Sequence, residues 1–124
     1  MAARWLATTT FMFIAAGATS EAYAQSFNVA GQPLIFTGSG TGSGTTVGST
    51  RDYANVITIA GSQIDARVTL TGLTGATLSS FDSTTNPYAE TAFFQPNLNI
   101  SSVGGHATFL VEFFEDGQPV TLQN

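Results

Sequence analysis

Polar and apolar residues alternate strictly over residues 63–71. Ile64, Ala66, Val68 and Leu70 fall on one side, and Gln63, Asp65, Arg67, Thr69 and Thr71 on the other. A period of two is that of a strand with one face on a core and one in water. Residues 53–59 precede this run, and the intervening Ala60-Gly61-Ser62 is a short Gly-containing connection. The spacing predicts one antiparallel hairpin over residues 53–71.

A second hairpin is predicted over residues 98–114. Leu98, Ile100 and Ser102 form the first arm, Gly104-Gly105 the turn, and Ala107, Phe109, Val111 and Phe113 one face of the return. Glu115-Asp116-Gly117-Gln118 reads as a further tight turn, because Asp-Gly readily takes positive φ. Residues 119–122 would pair next, with Pro119 confined to a strand start or an edge. Residues 34–37 and 76–80 are weaker strand candidates. Residues 38–50, GSGTGSGTTVGST, are of low complexity and predict a flexible loop. They fit no phosphate-binding glycine register.

No stretch repeats with helical period in the remainder of the chain, which favours β-branched and aromatic residues over helix formers. The pattern as a whole predicts an all-β fold, an antiparallel β-sandwich of Ig-like or jelly-roll type. Val120-Thr121-Leu122-Gln123-Asn124 reads as a strand begun without a closing turn, so the sandwich is expected to be incomplete within this sequence.

The first 24 residues follow another logic. Arg4 supplies a positive charge, residues 5–18 form an apolar or small-residue run, and Ala22-Tyr23-Ala24 gives the small-x-small pattern of a signal peptidase site. This order is that of a secretory leader, expected to be helical. The run is about 14 residues, short of the roughly 20 that a spanning helix needs. Residues 1–24 are therefore read as a signal peptide and residues 25–124 as a single secreted domain, with no membrane contact after cleavage. That length suits one modest core.

Composition narrows the chemistry. The chain has three Lys plus Arg against eight Asp plus Glu, for a net charge of −5. All three basic residues are arginines, and the acidic surface disfavours nucleic acid. Without lysine there is neither a Schiff-base amine nor a polybasic membrane patch. Cysteine is absent, so no disulfide supports the small core. Phe27, Phe36, Phe81, Phe93, Phe94, Phe109, Phe113 and Phe114 must supply much of it, at roughly 1.5–3 kcal/mol per fully buried side chain. In the adjacent pairs Phe93-Phe94 and Phe113-Phe114, extended backbone points one ring to each face.

Tyr53-Ala54-Asn55-Val56, Ile59-Ala60-Gly61, Ile64-Asp65, Val68-Thr69-Leu70 and Ala76-Thr77-Leu78 occur in a fixed order. Asp82-Ser83, Phe94-Gln95-Pro96, Gly104-Gly105, Phe109, Phe113 and Pro119-Val120-Thr121-Leu122 follow them. This order, over residues 46–124, resembles an N-terminal β-rich module of secreted and surface-anchored bacterial, adhesin-like proteins. The resemblance implies a non-catalytic structural or adhesive role, with an extracellular protein or a surface polysaccharide as partner. It also implies further β-rich sequence after residue 124.

Candidate site chemistry is sparse. His106 is the single histidine, and with no G-x-S-x-G elbow it reads as a turn residue rather than a catalytic base. No enzyme is expected. Glu112, Glu115 and Asp116 fall within five residues and are the candidate calcium ligands, since calcium takes six to eight oxygens. No D-x-D-x-D-G loop accompanies them, and the alternative is a solvated acidic rim in which Asp65 pairs with Arg67. A glycosidase pair of Glu90 and Glu112 has no spacing to support it. A carbohydrate- or calcium-binding domain is the alternative function, with Tyr53 and Tyr88 as the aromatic candidates for a sugar.

Overall fold

The computed structural model describes residues 9–14, 20–22, 28–29, 31–83 and 93–122. Every regular element among them is a strand. In chain order they are β1 (Thr9–Ile14), β2 (Ser20–Ala22), β3 (Asn28–Val29), β4 (Gln32–Pro33), β5 (Thr50–Ile59), β6 (Ser62–Thr74), β7 (Ala76–Ser80), β8 (Asn97–Ile100), β9 (His106–Glu115) and β10 (Gln118–Val120). All pairings are antiparallel. The fold class is therefore all-β with antiparallel sheets.

The main sheet runs β1-β9-β6-β5, with β10 pairing beside β9. A second sheet runs β2-β8-β7, and β3 and β4 form a small ribbon. The strict alternation of residues 63–71 is realised in β6, where Ile64, Ala66, Val68 and Leu70 are buried while Asp65, Arg67 and Thr71 are exposed. One hydrophobic cluster joins both sheets. It includes Val68 and Leu70 of β6, Phe109 and Val111 of β9, Leu78 of β7, and Leu98 and Ile100 of β8.

The β5–β6 hairpin forms as predicted, but its turn is the two residues Ala60 and Gly61, with φ of 50° and 81°. Two successive positive φ values match the right-handed strand twist. The register slips between Tyr53 and Ile57, a bulge in which Asn55 has φ 55°. Bulging places Val56 and Ile57 both in the core, and the Val56 carbonyl accepts the Ile35 N–H at 2.8 Å. The Asp116-Gly117 turn also forms, with φ of 49° and 75°. It leads into β10, where Pro119 sits on an outermost strand.

Three expectations require correction. Residues 98–114 do not form a hairpin: β8 pairs with β7 and β2, whereas β9 pairs with β6, β1 and β10. The chain between them changes sheet because Gly75 intervenes. Its carbonyl accepts the N–H groups of Ser101 and Ser102 at 2.9 and 3.3 Å. Residues 34–37 are not a strand, although Leu34 and Phe36 are buried. Within residues 1–24, the described parts are the strands β1 and β2, not helix.

The Gly-rich residues 38–50 run as a loop up to Thr50, tied to the main sheet at several points. Thr41 and Asp52 exchange backbone hydrogen bonds of 2.8 and 2.9 Å. Gly48 donates to the Leu70 carbonyl at 2.8 Å, and Leu70 donates to Ser49 at 2.9 Å. A Cβ at Gly40 would lie 2.9 Å from the Tyr53 ring, so glycine is needed for that approach.

Candidate functional site

Antiparallel register places Asp52 opposite Arg67, and Arg67 opposite Glu112, on the outward face of the main sheet. Arg67 Nε donates to Asp52 Oδ1 at 2.7 Å and Nη2 donates to Oδ2 at 3.2 Å, a two-pronged pair. The Asp52 carboxylate raises the already high pKa of Arg67, and Glu112 adds to this. The Arg67 guanidinium also lies 5.6 Å from the centre of the Phe114 ring. It thus gives cover to the outward member of the Phe113-Phe114 pair, while Phe113 is in the core.

Arg67 therefore pairs with Asp52 and not with Asp65. A cross-strand neighbour directly opposite is nearer than a residue two along the same strand. Asp65 serves the backbone instead. Its Oδ1 accepts the Asn55 N–H at 2.8 Å and so holds the bulge of β5. Asp52, Asp65, Ala66, Arg67, Phe114 and Gly117 together line an open groove of about 360 Å³. Carboxylate, guanidinium and an aromatic face share this groove, a set able to hydrogen-bond hydroxyl groups and stack on an apolar ring face.

The candidate calcium ligands are not assembled. Glu112 belongs to the row with Arg67, while Glu115 and Asp116 line a separate recess of about 300 Å³ with Gly61, Ser62 and Gln63. Three residues apart on one strand, Glu112 and Glu115 point to opposite faces. Among the described residues, no three His, Cys, Asp or Glu side chains are grouped to hold a metal ion. His106 opens β9, half-buried, with Nδ1 2.9 Å from the Gly104 carbonyl oxygen. Glu90 and Tyr88 lie outside the described residues.

Tyr53 is no sugar platform: it is 2% exposed. Its hydroxyl donates to Asp82 Oδ2 at 2.7 Å, and Asp82 Oδ1 accepts the Gln95 N–H at 2.9 Å. Burial, reinforced by the Asp82 charge, pushes the Tyr53 phenol far above its ordinary range and keeps it a donor. Burial likewise raises the Asp82 carboxyl, against the Tyr53 and Gln95 hydrogen bonds and the Arg51 charge. Edge-on rings surround this pair. Tyr53 stands 5.1 Å from Phe36, and Phe94 stands 5.1 Å from Phe109 and 5.9 Å from Phe81. Arg51 covers Phe81 at 4.5 Å and donates to the carbonyls of Thr50 and Gly44, each at 2.9 Å.

Neither the Asp52–Arg67 pair nor the Tyr53–Asp82 pair is apparent from local sequence. The inward parity of Tyr53 in a strand was the available signal that its hydroxyl needed a buried acceptor. Comparison of the chain with family models, curated proteins and solved structures gives no match.

Proposed function

We propose that residues 25–124 form a non-catalytic extracellular module, structural or adhesive in role, exported by the leader in residues 1–24. Its two sheets form a β-sandwich of Ig-like or jelly-roll kind, and the outward face of the main sheet is the contact surface. The supporting observation is how several ionisable groups among the described residues are engaged. Tyr53 and Asp82 lock the core, Asp65 holds a bulge, and Arg67 is held between Asp52 and Phe114. These duties are architectural.

The groove of Asp52, Asp65, Arg67 and Phe114 favours a second reading, recognition of a surface polysaccharide. One experiment separates the readings. The exported product, fluorescently labelled, is applied to intact cells, to a glycan array and to a hydrolase panel. Adhesion without glycan binding supports the structural reading. Glycan binding lost in Arg67→Ala and Phe114→Ala supports the second. Turnover abolished by His106→Ala would overturn both.

A further inference from the structure

The strand β1 lies within the leader, and in the full chain it covers one edge of β9. It pairs antiparallel from Thr9 opposite Val111 to Ile14 opposite His106. On the same edge β10 pairs with residues 113–115, and β6 lies along the other edge. Removal of residues 1–24 therefore bares the edge of β9 over residues 106–112, and, with β2, a shorter edge of β8 over residues 97–99. An open edge is a row of unpaired N–H and C=O groups that another strand completes.

The occupant is indicated by the leader strand itself. Thr10-Phe11-Met12-Phe13 of β1 matches Thr108-Phe109-Leu110-Val111 of β9 in order and character. In the observed register Thr10 faces Leu110, Phe11 faces Phe109, Met12 faces Thr108 and Phe13 faces Ala107. A two-fold pairing of β9 with β9 of a second copy, centred on Phe109, reproduces each of these pairs. It sets Thr108 of the second copy against Leu110, Phe109 against Phe109, Leu110 against Thr108 and Val111 against Ala107. Phe109 is also the midpoint of the bared segment of β9. Ala107, Phe109 and Val111 all face the core. A two-fold axis normal to the sheet therefore keeps both cores on the same side, and the contact is self-complementary.

Resting on the secretory reading, we propose that the processed protein dimerises through β9, in the place that its own leader strand fills before cleavage. In the uncleaved chain the leader strand thus occupies the second copy's place.

The full chain is expressed with its leader in a secreting host. The product is weighed by mass spectrometry and its association followed by sedimentation at up to about 100 µM, as suits an interface at the small end of the size range. A product starting after residue 24 with twice the monomer mass is expected. The double substitution T108K/L110K sets like charges opposite one another twice, and is expected to restore the monomer mass with an unchanged circular dichroism spectrum. Should that variant fail to fold, the absence of native cysteine permits a second measurement. Under oxidation, T108C mixed with L110C is expected to form a disulfide-linked dimer, and T108C alone is not. A processed product that stays monomeric, or T108C alone cross-linking as well as the mixture, would overturn the β9 interface. A product that still carries residues 9–14 would overturn the secretory reading and, with it, the vacated edge.

Discussion

Tyr53→Phe isolates one hydroxyl without disturbing the aromatic packing around it. The ring keeps its edge contact with Phe36 at 5.1 Å, and no cavity opens. What is lost is the 2.7 Å hydrogen bond to Asp82, whose side chain is 6% exposed and so has little access to water as a replacement. A hydrogen bond to a charged buried group contributes about 1.5–3 kcal/mol. The Gln95 N–H still holds Oδ1, which places the expected loss near 2 kcal/mol. For a domain of this size that lowers the melting temperature by roughly 8–16 °C. Urea denaturation followed by near-ultraviolet circular dichroism measures it directly. The sign of the pH dependence is fixed by the form of Asp82 that the lost bond favours: burial raises the Asp82 pKa, and the Tyr53 donor works against it by lowering that pKa. A donor that favours the carboxylate contributes more above the folded pKa than below it. The Tyr53→Phe penalty is therefore expected to be larger above the folded pKa of Asp82 than below it, and so to shrink in acid. A penalty under about 0.5 kcal/mol at pH 7, or one that grows in acid, would refute the reasoning.

Asp82→Asn carries the opposite sign, because burial raises the Asp82 carboxyl overall, and a group that binds its proton more tightly when folded contributes stability at low pH. Relative to this variant, the native protein is expected to lose stability as pH rises from about 3 through the folded value of Asp82, measured by melting at a series of pH values. Phe94→Ala removes a ring that meets Phe36, Phe81 and Phe109. It is expected to cost about 3–5 kcal/mol, enough to unfold most of the population in a urea titration. Gly105→Ala drives a Cβ against the Gly75 carbonyl and to within 2.9 Å of Ile100 Cγ2, at the crossing between the two sheets. A loss of about 1–3 kcal/mol is expected in thermal melting. Asp52→Asn breaks an exposed ion pair and is expected to change stability by less than about 1 kcal/mol, with the difference vanishing at high salt.

The parts of the fold that local rules govern were legible in the sequence. The β5–β6 hairpin follows from alternation and a Gly turn, and the β9–β10 turn from Asp-Gly. Extended backbone put Phe113 in the core and Phe114 outside it. The separation of β8 from β9 was not legible, because Gly104-Gly105 reads equally as a hairpin turn and as a crossing. The deciding interaction is the Gly75 carbonyl, distant in sequence, that captures Ser101 and Ser102. The partner of Arg67 was missed for a related reason. Asp65 and Asp52 are both acidic, and only the register of β5 against β6 selects between them. That register passes through a bulge at Asn55, which no repeating pattern encodes. The outward groove depends on the same register and so was equally hidden, although Asp65 and Arg67 were visible as exposed positions.

The thirteen-residue β6 is flanked by β5 on one side and β9 on the other, and these two seams set an order of assembly. The seam with β5 closes around a two-residue turn, so its loop entropy is small and a hairpin of this kind zips in about 1–10 µs. The seam with β9 must bring Ala66 to Phe113 across the whole of β7 and β8. Until it closes, the apolar face of the β5–β6 hairpin lies bare. Folding speed is therefore governed by how fast the distant C-terminal third finds that face, and substitutions along β9 should slow refolding more than those in the early hairpin turn.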